Sequence, residues 1–233
     1  MSWEKDIKEI KKREKLALLH GGEDAVNSQH SKGRKTLRER IDFILDNKSF
    51  DEIGKISGSA IYNDNDELKS FIPANFLLGF GKINKRSIII GGEDFTLKGG
   101  SPNPAGLRKS IYTEELALKY KIPLIRLHEG GGGSVTGSGG TAKKPKIPNS
   151  EPVFSKNRFQ ALAQCLGVVP VATAALGPVA GLPAARLVAS HFSVMTRNSQ
   201  VIIAGPAVVK RALGVEITKE ELGGPEVHLK SGV

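Results

Sequence analysis

The chain has 233 residues, of which 39% are hydrophobic and 25% charged, a composition typical of one substantial globular domain or two small ones. No apolar run approaches the roughly 18 residues of a membrane span, and the charged N-terminus lacks the apolar core of a signal peptide. The lone cysteine, Cys165, excludes an internal disulfide and a multi-cysteine metal site. We therefore expect no metal, and a reducing compartment such as the cytoplasm or the mitochondrial matrix.

The net charge of +10 indicates an anionic partner. Aromatic residues are only 6% of the chain, too few for base-stacking platforms, so nucleic acid is not the expected partner. A phosphorylated small molecule fits the charge as well as a polynucleotide does. Solvated surface remains the competing explanation for most of the lysines.

Two helices are predicted near the N-terminus. The first covers about residues 2–19, with Ser2 as its cap and an apolar face of Trp3, Ile7, Ile10 and Leu18. The segment "HGG" at 20–22 ends this helix. We interpret the helix as an arm that packs on another surface. A later helix begins after a capping Thr36 and buries Leu37, Ile41, Ile44 and Leu45.

Strands and helices alternate after the first third of the chain. "KINKR" at 82–86 predicts a hairpin turn. Helices are predicted over 103–120, 154–166, 182–190 and 206–213, and strands over 122–128, 168–176, 192–195 and 200–204. This order favours an α/β fold with a largely parallel sheet. The last twenty residues are expected to end in a glycine-rich loop without a closing element, as at a cut or a junction to another domain or chain.

The glycines that follow the strand "IPLIRLH" need an explanation, because ordering four consecutive glycines costs much backbone entropy. A phosphate-binding P-loop is rejected, because Ser138 stands where a lysine is required. "GSGGTA" at 137–142 matches a dinucleotide pattern weakly, since no helix follows it. A flexible loop is the structural alternative.

The third functional interpretation is an oxyanion hole of backbone N–H groups. One donor would come from this loop. The second would come from "LGPVAGLPAARL", where Gly177, Pro178 and Gly181 follow a strand and precede a helix whose first amides are unpaired. Both segments end sheet strands, so they could converge on one carbonyl oxygen.

Four segments in order carry a family resemblance: "KGRKTLRERIDFILDNKSFDEIG", "EDFTLKGGS", "GPVAGLPA" and "IIAGPAVVKRALGVEITKEELGGPEVH". From about Ser31 onward the chain resembles the N-terminal, crotonase-like half of the carboxyltransferase β subunits of propionyl- and methylcrotonyl-CoA carboxylases. The resemblance implies an α/β crotonase-like spiral of ββα units over residues 31–233, preceded by a helical arm over residues 1–30. It also implies that the second, C-terminal crotonase-like half is absent.

The resemblance further implies a biotin-dependent reaction. The carboxyl group of carboxybiotin is transferred to the α-carbon of an acyl-CoA, while backbone amides stabilise the thioester enolate. The implied partners are acyl-CoA, a biotin carboxylase or biotin carrier subunit, a second carboxyltransferase half in cis or in trans, and further copies of the chain in an oligomer.

Site residues follow from the resemblance position by position. The family's D-S-G-G-A segment falls on "HEGGG" at 128–132, so the oxyanion donors are assigned to Gly131, Gly132 and Gly181 or Leu182. His128 and Glu129 replace the usual Asp-Ser, which leaves the anchoring of the loop open. The CoA contacts are assigned to Arg34, Lys35, Arg38, Lys98, Gly99, Gly100 and Ala180, although arginines of the first motif could instead form structural ion pairs.

Two other functions compete with this interpretation. A crotonase-type hydratase or isomerase would need a carboxylate over the acyl chain, and Glu129 is the carboxylate next to the loop. In that case Glu129→Gln should abolish turnover, whereas in a carboxyltransferase it should matter little. A non-catalytic carboxylase scaffold would use the basic surface for docking and should not bind CoA.

Overall fold

The computed structural model describes residues 3–132 and 158–231. The N-terminal part forms α1 (Glu4–Ala17), α2 (Glu23–His30) and α3 (Leu37–Ile44). The prediction for α3 is confirmed: the Thr36 side chain accepts from the Glu39 amide, and the Glu39 side chain accepts from the Thr36 amide. This capping box fixes the start of the helix and hence the direction of the basic segment that precedes it.

The prediction for the first helix is wrong in one detail, the residue that caps it. Trp3 is the N-cap residue, while Ser2 lies outside the described residues. The expected apolar face is exposed, with Trp3 73% and Ile10 45% accessible. Only the last turn of α1 is buried, where Ala17 packs against Leu68 and Phe71, because the helix meets the rest of the chain at its C-terminal end.

Two sheets follow. β2 (Gly58–Tyr62) and β3 (Leu68–Pro73) form a separate two-stranded sheet. The main seven-stranded sheet contains β1 (Asp51–Glu52), β4 (Phe76–Ile83), β5 (Arg86–Glu93), β6 (Leu124–Gly130), β7 (Val171–Ala180), β8 (Phe192–Met195) and β9 (Gln200–Ile202). Its order is β1-β4-β5-β6-β7-β8, and β9 pairs with the far end of β7. All pairs from β5 onward are parallel, as predicted.

The hairpin between β4 and β5 also agrees with the prediction. Its two turn residues, Asn84 and Lys85, have φ values of 49° and 66°, as a two-residue turn with two left-handed positions requires. The Asp46 carboxylate accepts from both of their amides, at 2.9 and 2.8 Å. This external support explains why a lysine is tolerated at a position that favours glycine.

Helices cover the sheet and extend to the C-terminus. They are α4 (Pro104–Tyr120), α5 (Arg158–Val168), α6 (Leu182–Val188), α7 (Pro206–Leu213), α8 (Lys219–Gly223) and α9 (Pro225–Ser231). The prediction of a loop at the C-terminus is therefore wrong, because two short helices, α8 and α9, occupy most of the last twenty residues. The sequence signal was present in Thr218, whose side chain and that of Glu221 form a second capping box.

The core has two layers, one on each face of the main sheet. On one face Ile89 and Leu124 pack against Leu116 of α4 and Cys165 of α5. On the other face the neighbouring strand residues, including Ile90 and Leu127, pack against Leu37 and Ile41 of α3. Alternate residues of β5 and β6 thus point to opposite layers. The ends of these two strands and of β7 carry the glycine-rich segments.

Candidate active site

Three glycine-rich segments meet where β5, β6 and β7 end. They are the 3₁₀ turn Lys98–Gly100, the loop 130–132 after β6, and the junction 180–182 between β7 and α6. A Cβ on Gly132 would lie 2.5 Å from the Ala180 carbonyl oxygen, and a Cβ on Gly100 would lie 2.5 Å from the Glu129 carbonyl oxygen. Both glycines also have positive φ, 65° and 70°. Bare backbone is therefore needed because main chain packs directly on main chain.

The amides of these segments divide into paired and unpaired groups. Gly131 donates to the Gly99 carbonyl at 2.8 Å, and Gly181 donates to the Ile202 carbonyl at 3.0 Å. Within the described residues, the Gly132 and Leu182 amides have no such acceptor. Leu182 begins α6, whose cap residue provides no side-chain acceptor. Of the four predicted donors, Gly131 and Gly181 therefore fix the loops, while Gly132 and Leu182 remain available.

The glycine loop is anchored from beneath by Glu129. Its side chain is 1% exposed and lies 2.6 Å from Arg40 Nη1 and 3.5 Å from Arg34 Nη1. Gln29 Nε2 donates to the same carboxylate at 3.0 Å. A Cβ on Gly177 would lie 2.4 Å from Glu129 Oε1, so this glycine provides the room for the carboxylate. These contacts show how a glutamate at this position holds the loop.

The expected position of Gly177 differs in one respect. It and Pro178 lie within β7, which continues to Ala180, rather than in a loop after the strand. The strand is longer than predicted because β9 pairs with its last three residues, Pro178 to Ala180. The pairing with β9 also supplies the carbonyl that takes the Gly181 amide.

His128 points to the opposite face of β6 and pairs with Glu93. Its Nδ1 lies 3.1 Å from Glu93 Oε2, and both side chains are almost fully buried. Burial lowers the pKa of His128, and the nearby charges of Arg186 and Arg126 act in the same direction. The ring is therefore neutral near pH 7 and donates its Nδ1 hydrogen to the Glu93 carboxylate. Its Nε2 is buried and accepts from no described residue.

A buried arginine–glutamate cluster continues from this pair. Arg186 donates to Glu114 Oε1 from Nη2 at 2.7 Å and from Nε at 3.2 Å. Arg126 Nη2 lies 3.4 Å from the same oxygen. Burial acts to raise the pKa of Glu93, but His128 and the charge of Arg186 hold it below its ordinary value. With a neutral histidine, two arginines and two glutamates balance their charges inside the protein.

A small cavity of about 20 Å³ opens between these groups and the glycine segments. Gly100 and Leu182 lie in its wall, as do Glu93 and Arg186. The rest of its wall comes mainly from the start of β4 and the first turns of α4 and α6: Asn75, Phe76, Pro102, Gly106, Leu107, Ser110 and Pro183. Leu182, whose amide is unpaired, and Glu93, an acidic residue, thus line the same space. Sequence reasoning missed Glu93, which lies 35 residues from its histidine partner.

The predicted CoA contacts are distributed unevenly. Arg38 lies 2.9 Å from Glu52, near the end of the same motif, so it forms a structural ion pair. Arg34 faces Glu129, as described above. Lys35 is exposed, with its Nζ 5.9 Å from the Phe43 ring centre.

The remaining predicted CoA contacts belong to the glycine segments. Lys98 is exposed at the surface of the 3₁₀ turn, next to Gly99 and Gly100. Ala180 presents its carbonyl oxygen to Gly132 and pairs with Ile202. The structure thus brings this second group together with the amide donors, whereas the first group lies around α3.

The N-terminal helices also support the site. His20 Nδ1 lies 2.8 Å from Asp94, which in turn accepts from the Thr96 amide and hydroxyl. The Gly21 amide donates to the Thr96 hydroxyl at 3.0 Å. These contacts fix the segment that leads into the 3₁₀ turn. The sequence offered one signal for these contacts, the Asp-x-Thr spacing, and none for His20.

The boundary between an arm and a domain at residues 30 and 31 stays a prediction.

The described ranges, 3–132 and 158–231, contain no group of three histidine, cysteine or acidic side chains that could hold a metal ion. No helix within them has the length and hydrophobicity to cross a bilayer. The dinucleotide match at 137–142 and the basic segment after it lie outside the described residues.

Parallel strands that end in glycine segments with unpaired amides beside a cavity define the class of protein: an α/β, crotonase-like fold of the carboxyltransferase type. The chain belongs to the family described as the carboxyl transferase domain, which matches residues 28–233.

Named relatives agree with this assignment. The chain is 31% identical over 226 residues to the methylmalonyl-CoA decarboxylase subunit alpha of Veillonella parvula, covering 93% of this chain and 42% of that protein. It is 31% identical over 239 residues to the propionyl-CoA carboxylase carboxyltransferase subunit of Haloferax mediterranei, and the match covers 100% of this chain and 44% of that protein. The transcarboxylase 12S structure superposes with a TM-score of 0.79 at 29% identity. The superposition covers 100% of this chain and 44% of the 12S chain. The chain thus spans less than half the length of these relatives.

Proposed function

We propose that the chain forms the acyl-CoA half of a biotin-dependent acyl-CoA carboxyltransferase. The observation that carries the proposal is the pair of unpaired amides, Gly132 and Leu182, on segments that touch each other. Two donors so placed suit one oxygen that gains negative charge during the reaction. The family membership supports a thioester oxygen as that group.

In this mechanism the two amides donate to the thioester oxygen of the acyl-CoA. The α-proton would pass to the nitrogen that carboxybiotin frees when it loses its carboxyl group. Charge would then move onto the thioester oxygen, so both hydrogen bonds would strengthen. Removing one such donor typically costs about 100- to 1,000-fold in rate. The ion pair beneath the loop and the bonds from Gly131 and Gly181 hold the donors in position before the substrate arrives.

Carboxybiotin supplies the carboxyl group when its carrier brings it to the site. We assign the Gly132 and Leu182 amides to the thioester, and no group of this chain is assigned to biotin. A second crotonase-like half, in cis or in trans, would provide the biotin contact. The relatives are subunits of larger enzymes, which is consistent with such an arrangement.

For the phosphates of CoA we propose Lys35 and Lys98, the two exposed lysines among the predicted contacts. Their ammonium groups have no carboxylate partner within the described residues, unlike the guanidinium groups of Arg34 and Arg38. Gly99, Gly100 and Ala180 would contact the pantetheine arm through the main chain. Binding that depends on such exposed charges should weaken as salt is added.

The test uses calorimetry on the chain with propionyl-CoA and with its thioether analogue, in which a methylene replaces the carbonyl. We expect the thioester to bind more tightly, by roughly the five- to tenfold that one or two neutral hydrogen bonds provide. Equal affinities would show that the amides do not bind the carbonyl. No heat with either compound, or with CoA, would favour the scaffold instead.

The hydratase alternative is separated by a different measurement. Glu129 is held beneath the loop by Arg40 and Arg34, so Glu93, which lines the cavity, is the carboxylate to test. The proposal expects no hydration of crotonyl-CoA by the chain. Hydration that Glu93→Gln abolishes would overturn the carboxyltransferase assignment.

A further inference from the structure

The cavity beside the amide donors has a charged end that the proposed chemistry does not use. Glu93 and Arg186 both line it, with side chains 7% and 6% exposed. No direct ion pair joins them within the described part of the chain. Glu93 and Arg186 therefore line one small space without touching each other, although each has another partner, His128 for Glu93 and Glu114 for Arg186. A polar group suits the space between them better than an apolar one.

The Glu93 carboxylate has unused capacity to accept hydrogen bonds. Among the described side chains its partner is His128, whose Nδ1 lies 3.1 Å from Oε2 and 3.4 Å from Oε1. A carboxylate offers about four acceptor sites, so the His128 nitrogen and the Glu93 amide together leave part of this capacity open. His128 cannot use its other nitrogen, since Nε2 is buried elsewhere without a partner.

Arg186 has the matching capacity to donate. Its Nε and Nη2 bind Glu114, and Nη2 also donates to the Ser110 carbonyl at 2.9 Å. Its Nη1 donates to no residue of the described ranges. The two other polar side chains that line the cavity are occupied, because Ser110 donates to the Leu107 carbonyl and Asn75 to the Ser101 carbonyl.

Size and charge together define what can fill this end. A cavity of about 20 Å³ holds roughly one water molecule, so the group must be small. It must donate to Glu93 and accept from Arg186. A carboxylate would be repelled by Glu93, an ammonium group by Arg186, and a methyl group could neither donate to Glu93 nor accept from Arg186. A hydroxyl group meets both requirements.

We propose that this cavity recognises a hydroxyl group on the acyl chain, so that the preferred ligands are short hydroxyacyl-CoA thioesters. The inference rests on the proposed function, since it assumes that the thioester lies at the Gly132 and Leu182 amides. Leu182 and Glu93 line the same cavity, which places the hydroxyl within a short chain length of the carbonyl.

The experiment compares matched thioesters by calorimetry. Glycolyl-CoA is compared with propionyl-CoA, and 3-hydroxypropionyl-CoA with butyryl-CoA, so that each pair exchanges a methyl for a hydroxyl at constant length. At least one hydroxyl compound should bind about tenfold or more tightly than its partner, as a hydrogen bond to a charged group provides. The second pair tests a hydroxyl group that lies one carbon further from the thioester carbonyl.

Glu93→Gln provides the residue-level test. It keeps the size of the side chain and removes its charge, so the preference for hydroxyl should fall by about fivefold. The preference is a ratio measured on one protein sample, so a partly unfolded variant does not distort it. Glu52→Gln is the matched control, because Glu52 is equally buried, with 7% exposure, and does not line the cavity. It should leave the ratio unchanged.

Three outcomes would overturn the inference. Equal or weaker binding of both hydroxyl compounds would mean that the cavity retains its water or takes alkyl groups. A preference that Glu93→Gln leaves intact, or that Glu52→Gln reduces equally, would place the hydroxyl elsewhere. If no thioester binds at all, the proposed function fails and this inference falls with it, whereas binding without preference refutes the inference alone.

Discussion

Replacing Glu129 by glutamine tests the anchoring of the glycine loop. The substitution keeps the shape of the side chain and removes its charge. Arg40, whose side chain is 9% exposed, would then lie buried opposite a neutral amide at the position where the carboxylate was 2.6 Å away. Its remaining hydrogen bond to the Leu176 carbonyl, at 3.1 Å, does not compensate the charge.

The expected magnitude follows from this uncompensated charge. Breaking a buried ion pair by removing one partner typically costs about 3 to 5 kcal/mol. Domains have free energies of unfolding of about 5 to 15 kcal/mol, so the loss is a large fraction of the total. With a urea dependence of about 3 kcal/mol per molar, the unfolding midpoint should fall by roughly 1 to 1.5 M.

Urea unfolding followed by circular dichroism measures this shift. Glu216→Gln serves as the control, because Glu216 pairs with Lys210 but is 77% exposed, and exposed pairs contribute little. Its midpoint should not change. An unchanged midpoint in Glu129→Gln would refute the buried pair. The sequence alone suggested that this substitution matters little to a carboxyltransferase, and the structure now predicts a loss of stability without a direct role in chemistry.

Three further predictions concern single residues. Gly132→Ala should weaken propionyl-CoA binding at least tenfold, measured by calorimetry, because the new methyl group would lie 2.5 Å from the Ala180 carbonyl oxygen and displace the loop. An unchanged affinity would show that the Gly132 amide does not bind the ligand. Thr36→Ala should lower the free energy of unfolding by about 1 kcal/mol in urea, through loss of the cap on the Glu39 amide, and no loss would contradict the capping box. Burial lowers the pKa of Lys109 from its ordinary value of 10.5 to about 8. Between pH 8 and pH 10.5 the unfolded chain therefore binds a proton at this lysine that the folded chain has lost. The stability of the protein relative to Lys109→Met should therefore rise by about 3 kcal/mol over that interval and stay constant below pH 8, and a pH-independent difference would refute the shift.

Much of the fold was predictable because local signals and the global fold agree. Helix α3 has its capping box, the β4–β5 turn has its spacing, and the parallel strands have continuous apolar runs. The apolar face of α1 shows the limit of such reasoning. Periodicity predicts which side of a helix is apolar, but it does not show whether a partner surface covers that side.

The site was predictable only in part, for a related reason. Glycine runs after strands indicate where bare backbone is needed, and they located the segments that meet. Which amides remain unpaired depends on contacts between distant segments, such as Gly131 with Gly99 and Gly181 with Ile202. The pairing of His128 with Glu93, and of Glu129 with Arg40, likewise joins residues far apart in sequence.

The contact between Gly132 and the Ala180–Gly181 peptide has a consequence for how such a site can diversify. Every residue type except proline supplies a peptide N–H donor, so a different side chain at position 182 would alter the walls while leaving the donor in place. Selection can therefore reshape the acyl pocket freely, whereas the closely packed glycines that aim the donors tolerate almost no change. In a site of this kind, inactivating variants should cluster at the smallest residues, and new substrate preferences should arise at the side chains that surround them.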